Sequence, residues 1–332
     1  LKVRVYINIG KIMVLKQRIN WIDWAKVFAI YLVVLGHLLS KTGREGYIFN
    51  FIYSFHMPFF FFISGYLFTI KENNFRSFLK GSIRSLLVPY VLLNLIGNFF
   101  LIPTWVLAKQ WPIDQLFYFI TADGRGEPGP TWFLVCLFQV RLLSYFIVRQ
   151  TSVWRLLVVL FCILIAYLFP FHLYWRIDTV FMVIPFYIAG YELKSKLSFF
   201  SSKISFFILL LIVLLLTMIM GYSNVYLRLF GNYPLLYYPY AFAGIFMLIS
   251  LSFMFDKYNF KFITILSIGT IVIMALHGII FLYVKTFFRI VHLDFIFLTT
   301  TGKFILSGIV LLLLYYPIIW LHKYFPMAIG RR

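Results

Sequence analysis

Lys26 and His37 are separated by ten residues and stand inside the first long apolar stretch of the chain. Ionisable side chains in such a stretch are costly and need a reason. Eleven helical positions turn through about 1100°, about 20° past three full turns, and climb roughly 16 Å. One stripe of a single helix would therefore carry an ammonium near one end and an imidazole near the other. Asp23, three positions before Lys26, is expected to pair with it. The plain alternative for Lys26 is a side chain snorkelling to a membrane interface. Two further histidines lie in apolar runs: His56 in Phe55-His56-Met57-Pro58, and His277 in Ala275-Leu276-His277-Gly278. Counted from the ends of their runs, both fall at about the depth of His37. Three imidazoles at one depth can act as a base, a proton relay or a metal site, or can be hydrogen-bonded packing residues. A metal is not expected, since neither a carboxylate nor a cysteine joins them at local spacing.

Helices must position these groups. A bilayer core takes roughly 20 apolar residues per helix. Such runs occur at 21–40, 49–70, 85–107, 131–148, 153–170, 177–193, 204–221, 235–255, 262–284 and 295–321. The fold class expected is all-α, a polytopic membrane protein with about ten transmembrane helices. With the N-terminus inside, Lys and Arg favour the inner connectors by roughly two to one, which places both termini in the cytoplasm. Arg84, in Arg84-Ser85-Leu86-Leu87-Val88-Pro89-Tyr90, falls at the cytoplasmic edge. Ser64-Gly65 reads as a helix contact, and Gly36 as a point of close approach. Residues 108–130 form the longest irregular stretch, with a turn-forming cluster from Asp123 to Pro130. Long loops of this kind often act as lids, and a plain connector is the alternative. The segment 112–120 reads as an extra half-helix on the surface.

Composition excludes the soluble classes. The chain is 63% hydrophobic, against about 45–50% in soluble domains. A net charge of +20 would suggest nucleic acid in a soluble protein. Here the basic residues sit in short connectors, so the charge reports topology and no nucleic-acid partner is expected. Cys136 and Cys162 lie in apolar runs and form neither a disulfide framework nor a metal motif. Residues 1–20 are expected to be a cytoplasmic segment, with 1–12 read as non-native because Met13 opens a basic start. Residues 21–321 make one transmembrane domain, and 322–332 a cytoplasmic tail.

Several of these motifs together resemble the acyltransferase 3 family of bacterial membrane acyltransferases, and most closely its fucose 4-O-acetylase-like branch. The resemblance rests on Ile22-Asp23-Trp24-Ala25-Lys26 with Val33-Val34-Leu35-Gly36-His37, and on Phe55 to Phe68. It continues through Arg84 to Tyr90, Trp132-Phe133-Leu134 and the segment from Ile268-Gly269-Thr270 to His277. The ordered set spans the first nine predicted helices. The family often has Arg where this chain has Lys26, and Lys lacks the bidentate fork. The resemblance implies transfer of an acyl group, usually acetyl, from acyl-CoA to a hydroxyl of an extracytoplasmic or lipid-linked carbohydrate. It implies His37 as the general base, or as the site of an acyl-His intermediate, with His277 and His56 supporting it. Lys26, Arg84 and Arg76 would meet the phosphates of CoA. Trp132 and Asp23 are assigned to substrate binding, Trp132 by stacking on a sugar face. No tightly bound cofactor is expected. The expected partners are acyl-CoA, a carbohydrate of the cell envelope or a secreted polysaccharide, and membrane lipid, in a bacterial inner or plasma membrane; a homo-oligomer is compatible. Two other readings stay open. One is an exporter of saccharide or lipid-linked intermediates, against which the lack of an internal repeat weighs. The other is an envelope scaffold.

Overall fold

A computed structural model describes residues 18–70, 74–109 and 113–331. The reading of 1–12 as non-native lies outside them. The described residues are mainly helical: α1 (Asn20–Gly36), α2 (Gly43–Tyr66), α3 (Phe75–Ser82), α4 (Val88–Ala108), α5 (Ile113–Thr121), α6 (Trp132–Ile147), α7 (Ser152–Leu168), α8 (Ile177–Glu192), α9 (Lys203–Met220), α10 (Tyr237–Met254), α11 (Lys261–Ile268), α12 (Thr270–Ile290) and α13 (Thr300–Tyr324). One two-stranded hairpin, β1 (Ser223–Asn224) with β2 (Leu229–Phe230), interrupts the helices after α9.

Each of the ten apolar runs is helical. Among the described residues, seven helical segments are long and apolar enough to cross a membrane: Gly43–Tyr66, Phe75–Ala108, Gly129–Ile147, Lys203–Met220, Pro234–Met254, Thr270–Ile290 and Thr300–Tyr324. α1 and α7 have 17 residues each and α8 has 16, short of that length. α9 turns Phe207, Leu211, Leu214 and Met218 outward, and α7 does the same with Trp154, Leu157, Phe161 and Leu164. In water such surfaces would be prohibitive; in lipid they are the expected exterior. The chain is a multi-pass membrane protein.

Several departures from the sequence reading have local causes. α1 stops at Gly36, so His37 is its C-cap in αR geometry and begins a turn rather than lying inside the span. α2 starts six residues earlier than expected and runs unbroken through Pro58. Glu45 in its first turn binds Lys303 of α13 at 2.6 Å and Thr300 at 2.8 Å, which explains a lysine inside an apolar run. α3 joins α4 through a π-helical turn, Ile83–Leu87. Pro89 cannot donate to the preceding turn and its ring crowds the carbonyl of Ser85, and a wider turn relieves both. The run 262–284 is two helices, α11 and α12, broken at Gly269, where a side chain would overlap Ile318 of α13.

α2 is the centre of the bundle. A Cβ on Gly65 would overlap the Tyr187 carbonyl of α8, and one on Gly190 would overlap the Phe62 carbonyl, so the two backbones meet face to face. The expected helix contact at Ser64-Gly65 is this crossing. At Gly36 the near neighbour is Tyr53 of α2, 3.0 Å from where a Cβ would stand. The segment 322–331 is not a free tail: a 3₁₀ turn at Pro326–Ile329 buries Ala328 and Ile329, and Gly330 lies against the Ser85 carbonyl.

Candidate active site

Two cavities lie at different levels of the bundle and share α1, α2, α6 and α12 in their walls. The first, about 540 Å³, is lined by His37, His56 and His277. The second, about 620 Å³, is lined by Arg18, Lys26, Arg141 and Arg331. On α1 the stripe 26–30–33–37 joins them, with Lys26 in one wall and Val33 and His37 in the other. Between their levels Phe133 of α6 stands 4.9 Å from Phe61 and 6.0 Å from Phe60 of α2, and Ile30 is fully buried.

In the imidazole cavity the rings of His37 and His277 are 4.8 Å apart, tilted by 54°. His56 stands 4.7 Å from Tyr53, which lines the same space. Nδ1 of His56 is 2.8 Å from the Ile52 carbonyl, and Nδ1 of His277 is 2.9 Å from the Ile273 carbonyl. A carbonyl only accepts, so both Nδ1 atoms carry the proton, and in the neutral rings Nε2 is bare. The His37 ring makes no hydrogen bond among the described residues and is open to the cavity, so both of its nitrogens are free for chemistry. Three histidines expected at one depth are thus brought to one cavity. Among the described residues no three His, Cys, Asp or Glu side chains are grouped to hold a metal ion.

The segment 124–130, the turn-forming end of the long connector, roofs this cavity. Gly124 to Glu127, Gly129 and Pro130 line it, as do Trp132 at the start of α6 and Asn224, Val225 and Tyr226 of the hairpin turn. Trp132 and Tyr226 lie 5.5 Å apart, with the Arg176 guanidinium 3.8 Å behind the Tyr226 ring. The roof is tied down by Gln115 of α5, whose Oε1 accepts from the Glu127 N–H at 2.7 Å. Arg125 grips Asp123 through both carboxylate oxygens, at 2.7 and 2.8 Å, which holds the Asp123 carboxyl below its usual range. α5 is the expected half-helix, and it anchors the roof.

The basic cavity departs from expectation. Asp23 pairs with Arg18, at 2.6 and 2.9 Å, not with Lys26. It also accepts from Ser267 Oγ at 2.6 Å. It is buried in this network beside the basic cavity and lines neither cavity. Lys26 donates instead to the Ser267 carbonyl at 2.5 Å, in the last turn of α11, where the free carbonyls of a helix end attract a cation. Arg84 and Arg76 are not in the wall. Ser77, Gly81 and Ser85 line the cavity, and the exposed stripe 76–80–84 lies one residue, about 100°, to the side. Arg141, Arg18 and Arg331 take their place. Arg141 had a visible signal, a cation inside an apolar run; Arg331 had none. Among the described residues no acidic side chain lines this cavity, and burial together with neighbouring Arg18 lowers the Arg331 pKa. The electrostatics favour an anion.

Fold and site thus define a polytopic helical membrane protein with an imidazole centre reached from one end and an anion-seeking cavity at the other. Residues 19–322 match the acyltransferase domain family, acyltransferase 3. The chain belongs to this family and is a membrane acyltransferase. No curated protein and no solved structure gives a match.

Proposed function

We propose that this acyltransferase moves an acyl group, acetyl, from cytoplasmic acyl-CoA to a hydroxyl of an extracytoplasmic or lipid-linked carbohydrate, with His37 as general base. The observation that carries this reading is the pair of cavities on shared helices, one cationic and one built of imidazoles. CoA is anionic, and its phosphates fit among Lys26, Arg18, Arg141 and Arg331. Its pantetheine arm then follows the stripe 26–30–33–37, and the passage past Phe133 has to open for it. Lys26 at the usual Arg position supports the fucose 4-O-acetylase-like branch. The setting is a bacterial plasma membrane with the basic end in the cytoplasm.

His37 takes the proton of the acceptor hydroxyl as that oxygen attacks the thioester carbonyl carbon. The C–O bond forms, the C–S bond breaks, and the proton on the imidazolium passes to the departing CoA sulfur. His56 and His277, with bare Nε2 atoms, accept hydrogen bonds while neutral. They suit holding the acceptor hydroxyl or orienting His37, and leave oxyanion stabilisation to another donor.

The test is label transfer from acetyl-CoA to a panel of saccharides by protein in nanodiscs, wild type beside His37→Ala. Wild-type transfer, with a loss of about 10²- to 10⁴-fold in kcat for the variant, is expected. A folded His37→Ala protein that keeps most of its transfer would rule out the base assignment. A folded wild type that neither binds CoA nor transfers label would favour an exporter.

A further inference from the structure

Among the described residues one carboxylate, Glu127, lines the imidazole cavity, and the proposed transfer does not use it. We propose that Glu127 is the acceptor-binding residue: its carboxylate takes hydrogen bonds from carbohydrate hydroxyls next to the one presented to His37, with Tyr226, backed by the buried Trp132, as the stacking face. The acceptor class is a sugar with adjacent free hydroxyls. This inference rests on reading the cavity as the acceptor site.

The first support is the lack of a counter-charge. Among the described residues no ion pair reaches Glu127. Arg125, two positions away, is bound to Asp123 through both nitrogens of its fork. Lys285, the remaining cation in the lining, stands 5.7 Å from the centre of the Phe297 ring. Glu127 is exposed within this open space, so its unpaired carboxylate is free to accept hydrogen bonds from whatever fills the cavity.

The second support is position. Glu127 Oε2 is 3.7 Å from where a Cβ on Gly278 would stand. The carboxylate therefore lies over the turn of α12 that carries His277, and His277 contacts His37. Because Gly278 has no side chain, the space between the carboxylate and the imidazoles stays open. Gln115 holds the backbone of Glu127, which fixes where its side chain starts. Desolvation pushes its carboxyl above the usual range, with the Gly129 N–H opposing.

The third support is chemical match. An ionised carboxylate only accepts hydrogen bonds, and adjacent sugar hydroxyls offer paired donors. A sugar also presents an apolar C–H face, for which the part-exposed Tyr226 ring is a partner; Trp132 is buried 5.5 Å from that ring and backs it.

The experiment uses the full chain in nanodiscs, labelled acetyl-CoA, and methyl glycosides of fucose, galactose, glucose and N-acetylglucosamine as acceptors. Glu127→Gln keeps the shape and removes the charge. The expected result is a rise of about tenfold or more in KM for the glycoside, with kcat and the KM for acetyl-CoA little changed. If Glu127→Gln fails to fold, Glu127→Asp, which keeps the charge on a shorter arm, carries the test with a smaller rise in the same KM. An unchanged glycoside KM, or a fall in kcat alone, would overturn the proposal while leaving His37 as base. No transfer by wild type to any glycoside would overturn the acceptor-site reading and this inference together.

Discussion

His37 owes its freedom to a helix that ends one residue before it. His56 and His277 sit inside α2 and α12, where the carbonyl four residues back takes their Nδ1 proton. At the C-cap of α1 the His37 ring has no such tie among the described residues, which separates one untied imidazole from two oriented ones. The basic residues divide in the same local way. Arg141 and Arg84 are both arginines near one end of the bundle, yet only Arg141 faces the cavity, and its Nε lacks a partner among the described residues. Arg141→Ala should raise the KM for acyl-CoA by about tenfold or more, since a charged hydrogen bond is lost. Arg84→Ala should leave it within about twofold. Steady-state kinetics with varied acyl-CoA separates the two, and equal effects would remove the basic cavity from the donor site.

Two breaks in helices shape the cavities. The π turn at Ile83–Leu87 widens the approach to α4, and the gap at Gly269 lets Lys26 reach the end of α11. Close contact at α2–α8 sets the remaining geometry. Gly65→Ala would drive a methyl into the Tyr187 carbonyl and should cost about 1–3 kcal/mol by overpacking. At Gly308 of α13 an added methyl would meet nothing within 4 Å, so Gly308→Ala should instead stabilise by about 0.5–1 kcal/mol through helix propensity. Thermal unfolding in detergent, read for both variants, should show shifts of opposite sign.

Across the whole molecule, Arg18 and Arg331 line one cavity, so the two ends of the described chain meet at one end of the bundle. The proposed orientation puts that end in the cytoplasm. Cys136 and Cys162 are buried, so a membrane-impermeant maleimide should ignore the native thiols. In intact cells Ser40→Cys, exposed after His37, should label from outside. Ser201→Cys, exposed between α8 and α9, should label only after permeabilisation. The reverse pattern would invert the orientation and move the imidazole cavity to the cytoplasmic side.

The helices were legible in the residue order because apolar runs and their periodicity are local properties, and lipid leaves a chain no other way to satisfy its backbone. The common depth of His37, His56 and His277 was legible for the same reason, since rise per residue converts position into height. Which side chains face which cavity was not legible. That depends on phase, and a single π turn, a glycine break or a C-cap shifts phase without leaving a mark in composition. Asp23 chose Arg18 over Lys26 because the end of α11, distant in sequence, supplied Lys26 with a carbonyl. Arg331 and Glu127 reached the cavities through a folded-back turn and a roof loop. Their neighbours are set by packing between segments far apart in the chain, and only the tertiary structure brings those segments together.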